Sequence, residues 1–162
     1  MAALAIGGLT AAPASASGTY SGLPYIQGAG NYRDDFHDEG VLSTSTHAYS
    51  NATCLWQKVL WAHGLLDWSD IDGIYGTKTA TATYNYQYRR LLSSWDGIAG
   101  RETFTDAMGH PDWLRDTNGD GNPDEYVARK GFKLTRDANG RYKFYDAEGN
   151  ARLAGYNYLT CS

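Results

Sequence analysis

Asp72-Gly73-Ile74-Tyr75-Gly76-Thr77-Lys78-Thr79 is repeated, 24 positions on, as Asp96-Gly97-Ile98-Ala99-Gly100-Arg101-Glu102-Thr103. Both copies read Asp-Gly-Ile-x-Gly-x-x-Thr, and each opens a segment of helical composition. Asp-Gly makes a tight turn whose glycine is free to take a positive φ. Ile74 and Ile98 are then expected to drop into the core as anchors. Gly76 and Gly100 fall at the N-cap, and Thr79 and Thr103, at the third helical position, can hydrogen-bond the exposed backbone there. Each copy is therefore read as a loop that launches a helix at a fixed angle.

Working outward, Thr53, Trp56, Leu60 and His63 lie on one helical stripe widened by Val59, and Gly64 stands where a helix stops. A second helix is predicted over 77–92, with Thr79, Ala82, Thr83 and Tyr86 on its inner stripe. A third covers 101–108 and ends at Gly109-His110-Pro111, which proline cannot continue.

The order and spacing of these signals resemble the three-helix peptidoglycan-binding domain carried by many bacterial wall hydrolases. That family shows a Leu-Gln-x-x-Leu-x-x-x-Gly helix, Asp-Gly-x-Phe/Tyr-Gly-x-x-Thr, a Phe-Gln helix and a second Asp-Gly-x-x-Gly-x-x-Thr. Here the matching residues are Trp56-Gln57, Leu60 and Gly64, then 72–79, then Tyr86-Gln87, then 96–103. Trp56 replaces Leu, Tyr86 replaces Phe, and Thr77 and Arg101 stand where Pro is frequent. The resemblance spans 52–108, about a third of the chain. It implies a compact three-helix domain over 51–109 and, as ligand, the glycan or stem peptide of a bacterial cell wall.

The repeat residues are scaffold, so ligand contacts are sought on what it displays. Trp68 and Tyr75, aromatic residues on the helix-entry loops, are candidates for contact with sugar rings or peptide. Trp61 falls off the inner stripe of the first helix. Tyr84 and Tyr88 form an i, i+4 pair on the far side of the second helix, extended by Leu91 and Trp95. A helix apolar on two faces is usually buried on both, so coverage of Tyr84 and Tyr88 by another part of the chain competes with Tyr88 as a ligand contact. Asp70 and Arg89 could supply polar contacts.

Residues 2–12 are an apolar run followed by Pro13-Ala14-Ser15-Ala16. This reads as a secretory signal over 1–16, cleaved after Ala16 and too short to span a bilayer. Export suits the two cysteines, Cys54 and Cys161, which are expected to form one disulfide, with two buried free thiols as the alternative. Residues 17–50 are rich in Gly, Ser, Thr and Tyr. They read as an extended, flexible arm with one short strand near Val41-Leu42 and a solvated acidic knot around His37.

Beyond 110, Asp116, Asn118, Asp120, Asn122 and Asp124 place oxygens at alternate positions around Gly121. This is the pattern of a calcium loop, with Asn122 offering its carbonyl. Val127 stands where a full EF-hand has Glu, so calcium, the candidate cofactor, is expected to bind weakly; an Asx-turn loop without an ion is the competing reading. Asp137-Ala138-Asn139-Gly140 and Asp146-Ala147-Glu148-Gly149 then punctuate alternating aromatics. They predict an antiparallel three-stranded meander docked on the helices, giving an α+β fold.

The chain has 162 residues, a formal charge of −4, thirteen Tyr and five Trp. The charge argues against a nucleic-acid groove, and no stretch is long and apolar enough for a membrane span. His37, His47, His63 and His110 are scattered singly, unlike zinc-peptidase ligands, and paired thiols leave no cysteine nucleophile. Paired carboxylates remain open, but little chain is left over for a catalytic cleft. The reading is a secreted, cell-wall-associated, non-catalytic peptidoglycan binder. The alternative is a secreted adaptor that contacts another protein through the helices, the arm and a sheet edge.

Overall fold

A computed structural model describes residues 22–110 and 112–161; the signal segment and its cleavage site lie outside them. The fold is α+β. In chain order come α1 (Asn51–Ala62), a 3₁₀ turn (Trp68–Asp70), α2 (Thr77–Arg90), α3 (Arg101–Gly109), then β1 (Leu114–Arg115), β2 (Glu125–Tyr126), β3 (Phe132–Arg136), β4 (Tyr142–Tyr145) and β5 (Ala151–Leu153). The strands form one antiparallel five-stranded sheet in the order β1-β2-β3-β4-β5. Two strands more than predicted are present because β1 and β2 are two residues each, too short to show alternation. The last strand is Ala151–Leu153, after the Asp146–Gly149 turn.

α1 is the hub. Ser50 caps it by accepting the Thr53 N–H, and Gly64, at φ 73°, closes it. The Gly64 N–H reaches the Trp61 carbonyl and the Leu65 N–H the Leu60 carbonyl, each at 2.9 Å, a Schellman ending. Every α1 residue except Trp61 is buried, because α2, α3, the sheet and the arm all pack around it. Trp56 meets Tyr86 and Phe104 with ring centroids 5.8 and 5.2 Å apart, so its larger side chain fills the centre of the bundle.

The two Asp-Gly loops launch α2 and α3 as expected. Gly73 and Gly97 take φ 74° and 71°, and Gly76 and Gly100 are the N-caps. The anchor is not where the sequence suggested. Ile74 is 39% exposed and Ile98 half-buried, whereas the next residues, Tyr75 and Ala99, are buried. The cause is a buried glutamine on the preceding helix. Gln57 Oε1 accepts the Asp72 and Gly73 N–H groups at 3.0 and 2.8 Å. Its Nε2 faces Asp72 Oδ1, the Ile74 carbonyl and Thr79 Oγ1 at 2.8, 3.1 and 3.0 Å. Gln87 does the same one repeat later, accepting from Gly97 N–H at 2.9 Å and facing Asp96 Oδ1, the Ile98 carbonyl and Thr103 Oγ1 at 3.0, 2.9 and 3.0 Å. With both backbone groups of the isoleucine engaged inward, its side chain turns out and its successor turns in.

Residues 22–50 carry no long element, but they are packed. Ile26, Phe36 and Leu42 are fully buried, and isolated bridges join Tyr25 to Gly155, Gln27 to Arg141, Leu42 to Ala99 and Tyr49 to Ile74. The acidic knot is only partly solvated. Asp35 receives Arg136 Nη1 at 2.9 Å and the Tyr142 hydroxyl at 2.7 Å; Glu39 accepts from the Tyr156 hydroxyl and the Gln27 N–H. At the other end, Asn51 and Ala52 N–H groups at the start of α1 donate to Tyr158 and Gly155 carbonyls at 2.8 and 2.9 Å. The Cys54–Cys161 disulfide, closing a separation of 107 residues, fixes that join.

Replacing Gln57 or Gln87 with Met keeps the volume but strands two or more buried groups. Each change should cost about 3 kcal/mol, read as a lower urea midpoint at unchanged slope; a loss within about 0.5 kcal/mol would contradict the role assigned to these amides. Burial pushes the Glu39 carboxyl up to about 7, only partly opposed by its hydrogen bonds. The folded state then holds a proton that the unfolded chain releases, so this contribution is full below pH 4.5 and fades as pH rises through about 7. Glu39→Gln should flatten that part of the pH–stability curve, a difference of order 2–3 kcal/mol between pH 5 and 8; an unchanged slope in urea titrations would refute it.

Candidate functional site

The outward face of α2 comes from simple periodicity. Thr79, Ala82, Thr83, Tyr86 and Gln87 point inward and are buried, which leaves Tyr84 and Tyr88, one turn apart, on the opposite side. Coverage by another part of the chain does not occur among the described residues: Tyr84 is 43% and Tyr88 54% exposed. α2 ends with Leu91 in the left-handed region at φ 55°, which turns the chain back and leaves that side chain 80% exposed. The returning loop sets Trp95 edge-on to Tyr88 at 4.9 Å, and Trp95 Nε1–H donates to the Leu92 carbonyl at 3.0 Å. Tyr84, Tyr88, Leu91 and Trp95 thus form an exposed, partly pre-set aromatic patch. Such rings offer faces for stacking on a planar or apolar partner surface.

The other predicted contacts are distributed differently. Tyr75 is 1% exposed and is not a ligand contact: its hydroxyl lies 2.8 Å from Thr83 Oγ1 and donates to the Gly97 carbonyl at 2.9 Å, tying one repeat to the next. Burial pushes its phenol well above the usual range. Trp68 is exposed on one face only. Its other face covers the Lys58 ammonium at 4.0 Å, and Trp61 meets it edge-on at 4.9 Å. Burial lowers the Lys58 amine to about 8, with Asp146 opposing. Trp61 is half-buried between Trp68 and Lys130. Asp70 is paired with Lys78 at 2.6 Å. Arg89, beside Tyr88, lines a small cavity with His63, Leu65, Tyr86, Arg90 and Arg129.

The loop between β1 and β2 holds the calcium-type residues. Asp116 accepts the Gly119 and Gly121 N–H groups at 2.7 and 2.8 Å; Asn118 and Asp120 accept the Asp120 and Asn122 N–H groups at 2.9 and 2.8 Å. Asp124 accepts from the Thr117 N–H and hydroxyl at 2.8 and 2.6 Å, which keeps its carboxyl below the usual range. The Asn122 side chain is taken by Arg136 Nε at 3.0 Å, leaving its backbone carbonyl as the donor the pattern requires. Among the described residues no three His, Cys, Asp or Glu side chains gather as a metal-holding group, so a cation would have to draw these carboxylates together. Each retains lone pairs beyond its Asx-turn bond.

Both thiols are in the disulfide. The histidines, single in sequence, are not all apart in space: His63 and His110 contact Trp113 at 4.5 and 4.7 Å. Burial, reinforced by Arg90, holds the His63 imidazole down at about 4. Sequence reasoning missed Arg129 and Trp113 here because only the fold of the sheet brings them to the end of α1.

The loop pattern predicts weak calcium binding, of order 10⁻⁴–10⁻³ M. Calorimetry should show a calcium-dependent heat that Asp120→Ala removes, and identical traces for the two proteins would eliminate calcium from this loop. Comparison of the chain with protein-family models, with curated proteins and with solved structures returned no match.

Proposed function

We propose that this chain is a secreted, non-catalytic binder of the bacterial cell wall, built on a peptidoglycan-binding type of helical domain. The observation that carries the reading is the aromatic patch Tyr84-Tyr88-Leu91-Trp95, which gathers on α2 and the loop after it four of the six large apolar side chains exposed in the helical region, the other two being Trp68 and Ile74. Exposed aromatic rings offer flat apolar faces on which the C–H faces of sugars can stack, at little conformational cost. The repeated loop-and-helix units and their buried glutamines support kinship with the family through shared residues at the shared spacing. The disulfide supports an oxidising destination, and among the described residues no helix is long and apolar enough to cross a membrane.

One observation favours the adaptor reading: Leu91, at the tip of the patch, is 80% exposed and offers a sugar nothing that it would not offer a protein. Among the described residues the arm, in contrast, is held in the core by Ile26, Phe36 and Leu42 and contains no strand that could extend another protein's sheet.

Sedimentation with purified sacculi separates the two. The native chain should be retained without clearing the suspension, and Tyr88→Ala/Trp95→Ala should lower retention at least tenfold, about 1.4 kcal/mol. Equal retention of the double variant would remove the patch from the account. Absence of retention, together with co-purification of a secreted protein that the double variant loses, would favour the adaptor.

A further inference from the structure

The C-terminal ends of α1 and α2 meet at a cavity of about 180 Å³ lined by His63, Leu65, Tyr86, Arg89, Arg90 and Arg129. Three guanidinium groups around one small space stand out in a chain of net charge −4. Part of this charge has a local purpose. Arg89 and Arg90 sit in the last turn of α2, where free carbonyls favour cations. Arg90 is also matched by Asp106, which accepts from its Nε and Nη2 at 2.9 and 3.1 Å, and lies 4.9 Å from the Trp113 ring centroid. Arg129 lies over the end of α1, its Nη1 3.4 Å from where a Cβ on Gly64 would be. His63 adds no charge at neutral pH, since its Nε2 is 2.8 Å from the Tyr126 hydroxyl and burial holds it neutral.

Asp106 is committed to Arg90 and to the Tyr86 hydroxyl. Among the described residues, neither Arg89 nor Arg129 has a carboxylate within ion-pair distance. Two unmatched guanidinium forks at one cavity match a planar two-oxygen anion better than a point charge. The space is smaller than a pocket for a whole small-molecule ligand, typically about 300 Å³ or more, and suits one functional group at the end of a larger molecule. Arg89 directly follows Tyr88 but points about 100° further round the helix, so the cavity, which Tyr86 also lines, lies on the flank of α2 away from the aromatic patch.

Resting on the wall-binding reading, we propose that Arg89 and Arg129 receive a free carboxylate of the wall fragment. The partner is thus an acidic glycopeptide rather than a neutral glycan.

The test is titration of the full chain, with the arginine Nε–H resonances as readout, against three probes: muramyl dipeptide, with one carboxylate at its peptide end; the same molecule amidated; and N-acetylmuramic acid, with a lactyl carboxylate. The native chain should bind one or both carboxylated probes at least tenfold more tightly than the amide and shift the Arg89 and Arg129 signals. Which carboxylated probe is preferred identifies the source. Arg89→Gln/Arg129→Gln should abolish the preference while leaving binding of the amide. Arg129→Lys keeps the charge at the helix end and serves if the double variant fails to fold; it should lose most of the preference. Equal binding of all three probes, abolished by Tyr88→Ala/Trp95→Ala, would overturn the carboxylate fork and leave the wall-binding reading standing. Retention on sacculi with no binding of any probe would also overturn the fork. Absence of both would overturn the two readings together.

Discussion

Two buried side-chain amides hold this fold in register. A loop that must turn sharply and then start a helix exposes backbone N–H groups on both sides of the turn, and burying them unpaired would cost more than the packing returns. Gln57 and Gln87 meet that need from the preceding helix, each presenting one acceptor and two donors to a five-residue loop. The aspartate of each loop completes the arrangement, since Asp72 and Asp96 also accept the N–H of the residue two positions on, at 2.8 and 2.9 Å. Each helix therefore sets the launch angle of its successor, α1 for α2 and α2 for α3.

That serial construction explains why so much of the chain gathers around α1. A three-helix unit of this size buries little surface alone. The arm covers the two loops through Leu42 and Tyr49, and the sheet closes the remaining side through β5 and the segment after it. Arg136 joins these layers, donating to Asp35 and the Gly30 carbonyl in the arm and to Asn122 and the Gly121 carbonyl in the β1–β2 loop. With α1 enclosed, α2 is the helix left with an uncovered aromatic face.

Much of this was legible in the residues. The duplicated Asp-Gly-Ile-x-Gly-x-x-Thr marked both helix starts, periodicity marked the inner stripe of α2, and two cysteines sufficed for the disulfide. The direction of Ile74 was not legible. Both Ile74 and Tyr75 are apolar enough to bury, and the choice is made by hydrogen bonds from a glutamine 17 positions away in sequence. The tilt of the loop likewise decided that Tyr75 is structural and Trp68 half-covered. The arm concealed its role because Ile26, Phe36 and Leu42 enter the core singly, from irregular backbone, and leave no period to read. At the cavity between α1 and α2, Arg89 was visible as a surface charge, but its pairing with Arg129 depends on the β2–β3 turn folding back over the end of α1.

Hydrogen exchange at the Gly73 and Gly97 amides is the sharpest probe of whether Gln57 and Gln87 hold the two loops from within. Exposed turns exchange by local fluctuation, whereas an amide held by a buried glutamine opens only with the whole structure. Both glycine amides should exchange at the rate of global unfolding, matching amides in the middle of α1. Fast exchange at either glycine, with the α1 core still protected, would contradict this and show that the loops are not held from within.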